Sequence, residues 1–451
     1  MKIVIIGGVA AGPKVAAKSR RLLPDAQIDI YTSDTHVSYS ACGLPYYIEG
    51  DFEDYQKLIV RTVEDFEKSD INIHLMHEAL YIDITSKTVL IRDLRTNKLT
   101  NVLYDKLVLA TGSFPLKTGF EDCKQKNFFT LKTLEDGIAI KNKMKECSHI
   151  TLIGGGYINI ELAEAFIKNE KKVTIIERTN NILTNFDDEI STFIKDYMLE
   201  ASNGLLKIIT DDSVKEFIGT DNIVGVLTEK GYGFETELVI LSIGAKPTIK
   251  LATDAGITIG ESGAIKVNER METNIKDIYA CGDCTEKKHN ISGLPTWIPL
   301  GSTANKEGRI AAINLCGGNI TFDGIFGAAV TRYMDLNISK TGLSEKQAKN
   351  LGFETIAVTV TKKDKAGYMP EVKNITLKLI ADKKTNKIIG AQAIGCGEAN
   401  KKIDSITIGM KNNITVRELL DVDLTYSPPF ASSVDIIHTA ARILQSKINK
   451  Q

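Results

Sequence analysis

The sequence predicts an α/β protein with two Rossmann-like dinucleotide-binding units and a C-terminal region in which a mixed sheet packs with helices. Two observations predict the units: an apolar strand, a glycine-rich turn and a helix begin at residue 2 and again at residue 150. The third observation is a pair of apolar segments, 376–380 and 388–394, separated by polar residues typical of a hairpin. A length of 451 residues suits two or three domains.

The first unit opens the chain and is predicted to carry a flavin nucleotide. Its strand, residues 2–6, leads into a turn whose glycines let the backbone approach a pyrophosphate at a helix N-terminus. Val9 replaces the middle glycine of the motif, and Thr32 stands where an acid normally binds the ribose, so Asp34 is the expected substitute. The turn residues expected to bind this nucleotide are Gly7, Gly8, Ala10, Ala11 and Gly12.

The second unit matches the motif more fully, because its strand at 173–176 ends in an acid, Glu177. This carboxylate can accept both ribose hydroxyls and would repel a 2′-phosphate, which favours NADH over NADPH, although Arg178 beside it weakens the preference. Asn159 occupies the third glycine position, where we expect a local shift of the helix without loss of binding. The residues expected to bind the nicotinamide nucleotide are Gly154, Gly156, Tyr157, Ile158, Glu161, Glu177 and Gly244.

Two other segments are suited to the flavin. A buried strand ends in Ala110, Thr111 and Gly112, and a later strand leads into a glycine turn with one carboxylate, Asp283, which could accept hydrogen bonds from a ribityl chain. Cys281 and Cys284 flank that carboxylate at a spacing also found in redox and zinc motifs. No second cysteine pair or histidine cluster completes a zinc site, so we predict no metal.

A single thiol, Cys42, is the candidate redox residue. It lies in a turn marked by Gly43 and Pro45, and the position five residues on, where a dithiol enzyme needs a second cysteine, is Tyr47. The thiol would therefore cycle between a thiolate and either a sulfenic acid or a mixed disulfide with an external thiol. The alternative is a buried cysteine that only packs.

Composition excludes several classes of partner. The formal net charge is −1, so no overall field attracts nucleic acid or a membrane surface. No apolar stretch approaches the roughly 20 residues of a membrane span. The seven cysteines are scattered, as in a reducing compartment, and we predict a cytoplasmic protein.

Together these motifs resemble the flavin-dependent pyridine nucleotide-disulfide oxidoreductases, in particular the single-cysteine branch of coenzyme A disulfide reductases and NADH oxidases or peroxidases. The resemblance covers essentially the whole chain and rests on segments 7–12, 38–46, 110–112, 154–161, 279–284, 303–306 and 424–430. It implies a homodimer in which the NAD domain is inserted into the FAD domain. The implied ranges are 1–113 and 245–325 for the FAD domain, 114–244 for the NAD(P)H domain and 326–451 for the dimerisation domain.

The resemblance also implies roles for residues outside the two nucleotide turns. Tyr426, and approximately Tyr368, match tyrosines that act from the partner subunit as proton donors, and Ala304 lies in a segment that binds FAD. Tyr426 could instead merely pack. Coenzyme A would bind through Lys14, Lys18, Arg21, Ser38 and Asn305, although the three basic residues could equally form a solvated helix face.

Within the branch, the turn residue Ala10 separates the possible activities. Oxidases and peroxidases of this type resemble the chain but place a histidine there, so the resemblance favours reduction of coenzyme A disulfide by NADH, through FAD and a mixed disulfide on Cys42. Three alternatives remain: an NADH oxidase or peroxidase, a persulfide or polysulfide reductase, and a non-enzymatic flavoprotein that senses NADH.

Overall fold

The N-terminal part of the chain forms a parallel sheet beside a small antiparallel one. In the computed structural model, which describes residues 1–450, its elements are β1 Lys2–Ile6, α1 Ala11–Leu22, β2 Gln27–Tyr31, α2 Leu44–Glu49, α3 Val63–Glu67, β3 Ile71–His74, β4 His77–Asp83, β5 Thr88–Asp93, β6 Leu99–Leu103, β7 Lys106–Leu109 and β8 Ser113–Pro115. Strands β7, β1, β2 and β3 are parallel neighbours, and β4, β5 and β6 form the antiparallel sheet. Both faces of β1 are buried, as its continuous apolar sequence predicts.

The next part of the chain builds a second parallel sheet of the same kind. Its elements are β9 Phe128–Phe129, α4 Leu134–Met144, β10 His149–Ile153, α5 Tyr157–Lys168, β11 Lys172–Ile176, α6 Asp188–Ala201, β12 Leu206–Ile209, β13 Val214–Ile218, β14 Gly225–Thr228, β15 Gly233–Glu235, β16 Leu238–Leu241 and β17 Ala245–Pro247. The parallel strands run in the order β12, β11, β10, β16, β9. Helix α5 directly follows the glycine turn after β10, so the second predicted unit is present.

The chain then returns to the first sheet. The returning elements are α7 Lys250–Asp254, β18 Ile278–Ala280, β19 Lys287–Lys288, β20 Pro295–Thr296 and α8 Gly301–Leu315. Strand β18 pairs in parallel with β7, which completes a five-stranded sheet. The chain leaves the first domain through β8 and returns to it through β17, and these two strands pair with each other. The second dinucleotide-binding domain is therefore inserted in the first.

The C-terminal part is an antiparallel sheet covered by helices. Its elements are β21 Ala329–Tyr333, β22 Leu336–Gly342, α9 Glu345–Asn350, β23 Thr355–Lys363, β24 Asn374–Asp382, β25 Ile388–Cys396, α10 Ala399–Lys411, α11 Val416–Asp421 and α12 Ile436–Asn449. The predicted hairpin is β24 and β25. The expectation of a mixed sheet was wrong, because all four pairings are antiparallel.

The three domains meet in one of the buried hydrophobic clusters, the one around α2. Leu44 and Ile48 of α2 are buried together with Leu134 of α4, Ile160 of α5 and Tyr333 of β21, so the short helix contacts both other domains. Burial of such side chains is worth about 1.5–3 kcal/mol each. Among residues 1–450, no helix has the length and apolar character needed to cross a bilayer.

Candidate active site

The two nucleotide turns have matching backbone geometry. Gly7 and Gly154 have φ of +114° and +104°, and a Cβ on them would lie 2.1 Å from the Ala110 oxygen and 2.3 Å from the Ser242 oxygen. Neither α1 nor α5 begins with a side-chain cap, so first-turn N–H groups remain open to a phosphate. A Cβ on Gly156 would meet no described atom within 4 Å, which leaves space above this turn. Both turns fit a dinucleotide.

The third motif position differs between the turns. A Cβ on Gly12 would lie 2.0 Å from the Gly7 oxygen, so only glycine allows this helix to approach its strand. Asn159 at the matching position is buried, and its Nδ2 donates to the carbonyls of Ile153 at 2.9 Å and Gly154 at 2.8 Å. Its amide therefore bonds the turn, at the position where a local shift of the helix was expected.

Glu177 is held at the end of β11 by three hydrogen bonds. Its Oε2 accepts from the Gly155 N–H at 2.6 Å, and its Oε1 accepts from the N–H and the hydroxyl of Thr179, both at 2.8 Å. In the first unit, Thr32 packs against Gly8, and its hydroxyl accepts from the N–H of Asp34 at 3.3 Å. Burial and the neighbouring Glu135 raise the pKa of Asp34.

The Asp283 turn lies against the first nucleotide turn. Gly282 has φ of +87°, and a Cβ there would lie 3.0 Å from the Ala11 Cβ and 3.7 Å from the Ala304 Cβ. Asp283 Oδ2 accepts from the Ser113 hydroxyl at 3.5 Å, and its carbonyl accepts from the indole N–H of Trp297 at 2.7 Å. The fold therefore brings the first nucleotide turn, the end of the strand at Ser113 and the Asp283 turn together, although they are far apart in the sequence.

The remaining residues that were predicted to bind the nucleotides lie just after β7 and β16 or at the starts of α1 and α5. The Thr111 hydroxyl donates to the Thr248 carbonyl at 2.7 Å, and Gly112 and Gly244 have φ of +69° and +119°. The Tyr157 hydroxyl accepts from the Asn185 amide at 2.7 Å, and burial raises the pKa of Tyr157 to about 12. The last three are Ala10 at the N-cap of α1, Ala110 after β7 and Ile158 on the exposed side of α5.

Cys42 lies in a short 3-10 helix, residues 41–43, immediately before α2. Although solvent reaches the side chain, the surrounding protein raises the pKa of the Cys42 thiol, chiefly through loss of hydration and then through the charges of Glu161 and Asp283. Lys132 acts in the opposite direction, and its Nζ donates to the Ser113 hydroxyl at 3.0 Å. Sequence reasoning missed Lys132, which lies in the linker before α4.

No described cysteine is in a disulfide, and Tyr47 has a structural role in the place of a second thiol. Tyr47 is buried, its ring lies 4.3 Å from the Lys141 Nζ, and its carbonyl accepts from that Nζ at 2.8 Å. Cys281 and Cys284 are also buried, and burial raises the pKa of both thiols. Within residues 1–450 no group of three or more candidate metal ligands occurs.

A second group of residues beside Cys42 was not predicted as a unit. Glu161 accepts from the Thr331 hydroxyl at 2.7 Å, and burial raises the pKa of Glu161. The Arg332 guanidinium lies 4.9 Å from the centre of the Tyr46 ring and 3.5 Å from the Glu164 carboxylate. Because Thr331 and Arg332 lie on β21, the C-terminal domain completes this side of the site.

The predicted coenzyme A residues lie on neighbouring elements. Helices α1 and α8 pack closely at Gly308, where a Cβ would lie 3.2 Å from the Lys14 Cβ. Lys18 and Arg21 follow on α1, with the Arg21 Nε donating to the Ala17 carbonyl at 3.0 Å. Asn305 is exposed on α8, whereas Ser38 is buried with φ of 52°. The structure thus brings Lys14 and Asn305 onto adjacent helices.

The two candidate tyrosines lie on loops that contact each other. The Ala366 N–H donates to the Pro428 carbonyl at 3.2 Å, which joins the loop of Tyr368 to the loop of Tyr426. Their side chains are 76% and 52% exposed, and Phe430 beside them is 83% exposed. Two phenols and a phenyl ring are therefore presented on one surface of the C-terminal domain.

Comparison with known proteins identifies relatives along the whole chain. The model of the pyridine nucleotide-disulphide oxidoreductase family matches residues 1–308, and the model of that family's dimerisation domain matches 328–437. The chain is 36% identical over 447 residues to an NAD(P)H sulfur oxidoreductase (CoA-dependent) of Pyrococcus abyssi, covering 98% of each. It is 28% identical over 443 residues to the coenzyme A disulfide reductase of Staphylococcus haemolyticus, covering 97% of this chain and 98% of that one. The structure of an NAD-dependent persulfide reductase from A. fulgidus has a TM-score of 0.96 and 32% identity, covering 100% of this chain and 84% of that one.

Proposed function

Because this chain belongs to the pyridine nucleotide-disulphide oxidoreductase family of flavin-dependent enzymes, we propose that it reduces coenzyme A disulfide to coenzyme A with NAD(P)H, through a mixed disulfide on Cys42. The observation that carries this proposal is the Cys42 thiol, the one cysteine among the described residues that is exposed rather than buried or half-buried, with a buried tyrosine, Tyr47, in the place of a resolving cysteine. A disulfide on Cys42 then takes its second sulfur from an external thiol. Persulfide or polysulfide reduction is the second candidate, because one relative is named a sulfur oxidoreductase and another a persulfide reductase.

The two parallel sheets provide separate places for the two nucleotides. FAD would be held by the turn at Gly7, by Gly12 and by the Asp283 carboxylate, and NADH by the turn at Gly154 and by Glu177. Bound FAD supplies the two-electron transfer from NADH to the mixed disulfide. NADH is favoured over NADPH because of the Glu177 carboxylate.

The protein's own part in turnover begins at Cys42. Its thiolate attacks one sulfur of coenzyme A disulfide, which forms the mixed disulfide and releases one coenzyme A thiolate. Reduction of the mixed disulfide by two electrons restores the Cys42 thiolate and releases the second coenzyme A thiolate. Each released thiolate takes a proton, donated in this proposal by Tyr426 and Tyr368 of the partner subunit. The basic residues Lys14, Lys18 and Arg21 would bind the phosphates of coenzyme A, and Ser38 and Asn305 its pantetheine arm.

Formation of the Cys42 thiolate needs a cation or dipole nearby. The protein around Cys42 raises the pKa of its thiol, so the apoprotein does not favour the charged form. The positive charge of Lys132 acts in the opposite direction and lowers the pKa of the Cys42 thiol. We assign to Lys132, together with the bound cofactor, the stabilisation of the thiolate.

The proposal requires a homodimer, since both tyrosines act across the subunit boundary. The matched dimerisation domain and the exposed surface of Tyr368, Tyr426, Phe430 and Val434 support it. Apolar surface of this kind is typical of an interface.

The test is replacement of Cys42 with serine. Cys42→Ser should retain FAD and accept electrons from NADH, yet lose reduction of coenzyme A disulfide, whereas the matched control Cys123→Ser should keep both reactions. The mass of the intact native protein should fall by one coenzyme A on reduction, and Cys42→Ser should lack that change. Retained disulfide turnover in Cys42→Ser would refute the proposal, and turnover with polysulfide alone would favour the second candidate.

A further inference from the structure

A buried lysine and a buried glutamate hold the Asp283 turn from behind. Lys287 lies on β19, just after the turn, and Glu307 faces the turn from α8. Their side chains are 1% and 0% exposed, and Lys287 Nζ lies 3.5 Å from Glu307 Oε1. Neither residue has a role in the proposed function described above.

Both residues bond the backbone of the turn. Glu307 Oε2 accepts from the Gly282 N–H at 2.7 Å and from the Thr285 hydroxyl at 3.0 Å. Lys287 Nζ donates to the carbonyls of Gly282 and Thr285, both at 2.9 Å. The N–H and the carbonyl of Gly282 are therefore held by opposite charges, on either side of a residue whose φ is +87°.

The pair has no clear advantage for stability alone. Burying two charges costs several kcal/mol per ion, and well-packed apolar residues of similar volume are often equally stable. Glu307 Oε1 is buried without a hydrogen bond from any described residue, so the desolvation of this carboxylate is only partly compensated. Its hydrogen bonds are concentrated instead on one short turn.

The turn that the pair bonds lies close to the first nucleotide turn. The Gly282 Cα approaches the first nucleotide turn so closely that a Cβ would lie 3.0 Å from the Ala11 Cβ. A small rotation of the 282–283 peptide would therefore move the Asp283 carboxylate relative to the first turn. Opposite charges on both peptide groups of Gly282 resist that rotation.

We propose that Lys287 and Glu307 are positioning residues for FAD, which hold the turn so that the Asp283 carboxylate meets the ribityl hydroxyls. They act through the backbone of Gly282 and not by touching the reacting atoms. The inference rests on the proposed function, because it takes Asp283 as a flavin ligand.

Two double variants separate positioning from charge. Lys287→Met with Glu307→Leu removes every side-chain bond from the pair to the turn, whereas Lys287→Met with Glu307→Gln keeps an acceptor for the Gly282 N–H. Both are electrically neutral. FAD binding to the apoprotein should weaken roughly tenfold or more in the Met/Leu variant and only about threefold in the Met/Gln variant. The visible circular dichroism of bound FAD, which reports its orientation, should change in the Met/Leu variant.

A third variant controls for loss of stability. Lys378 is another buried lysine, 3.0 Å from the Asp187 carboxylate at the contact between the NAD and C-terminal domains. Lys378→Met should lower the thermal midpoint without changing the FAD dissociation constant or the visible circular dichroism. Wild-type values of both quantities in the Met/Leu variant would overturn the inference.

Asp283→Ala separates failure of the inference from failure of the proposed function. Wild-type FAD affinity in Asp283→Ala would remove the flavin role of Asp283 itself. Weak binding in Asp283→Ala with wild-type binding in the Met/Leu variant would reject the positioning role alone. Where the Met/Leu variant does not fold, Thr285→Val removes a hydroxyl that lies within hydrogen-bond distance of Glu307, Lys287 and the Gly282 carbonyl, and it should weaken FAD binding severalfold. Unchanged affinity in Thr285→Val would then overturn the inference.

Discussion

The preference for NADH over NADPH should depend on the charge of Glu177. Two of the three hydrogen bonds that hold its carboxylate come from backbone N–H groups, those of Gly155 and Thr179. Rotating the carboxylate away from a 2′-phosphate would leave these donors unpaired, at about 1–3 kcal/mol each. The carboxylate should therefore stay in place and repel the phosphate.

The size of the preference follows from that repulsion. Two unit charges about 4 Å apart interact by about 4 kcal/mol at an effective dielectric constant of about 20. Because Glu177 is half-buried and Arg178 is exposed beside it, salt and the guanidinium reduce this value to about 1–3 kcal/mol. The ratio of kcat/KM for NADH to that for NADPH should then be about 5 to 150.

Glu177→Gln provides the perturbation. The amide keeps one acceptor but presents an NH₂ group to a backbone donor, so binding of both nucleotides should weaken. This loss is common to the two and cancels in their kcat/KM ratio, which should fall about tenfold because the negative charge is gone. Arg178→Ala is the control and should raise the ratio. The reasoning would be refuted if steady-state kinetics showed that the wild-type enzyme prefers NADPH, or that Glu177→Gln has the same kcat/KM ratio as the wild type.

Three further outcomes are expected. Tyr426→Phe should fold and reduce its flavin but lose disulfide turnover by roughly 10²–10⁴-fold. Subunit exchange with Cys42→Ser should restore activity. If verified heterodimers recover no activity, Tyr426 has only a packing role. Gly12→Ala should be purified without FAD, because its Cβ would lie 2.0 Å from the Gly7 oxygen; a normal flavin content would contradict this. Hydrogen bonds from two lysines lower the pKa of Asp277 to about 2, so its contribution to stability is present above about pH 4 and is lost as the pH falls towards 2. Denaturant midpoints measured against pH should show that loss in the wild type and a flatter profile in Asp277→Asn.

Local patterns predicted the parts of the site that lie within one strand, turn and helix. Gly7, Gly12 and Gly154 could be identified because their conformations depend on neighbours close in sequence or on the fold motif itself. The pairing directions outside the predicted hairpin, those of β21, β22 and β23, could not be predicted, since hydrophobic patterns carry no information on pairing direction.

Contacts between distant segments account for most of what was missed. Glu161 and Thr331 are 170 positions apart, and neither has a sequence neighbour that indicates the other. The motif requires glycine at position 159, so Asn159 was expected to shift the helix. Its amide instead bonds two carbonyls that become available only after the turn has formed. Trp297 bonds the Asp283 carbonyl and Lys132 bonds the Ser113 hydroxyl, both from linkers, where residue type alone predicts little.

The antiparallel pairing of β8 with β17 makes the inserted domain an exchangeable module. Pro115 lies opposite Ala245, so the domain is entered and left through adjacent points and could be excised, with the two cut strands joined by a short linker. A domain from a relative with another nucleotide preference could be grafted at the same two points. The graft would need to retain the surfaces of α4 and α5 that pack on α2, because the buried side chains of α2, the helix that follows Cys42, pack against them.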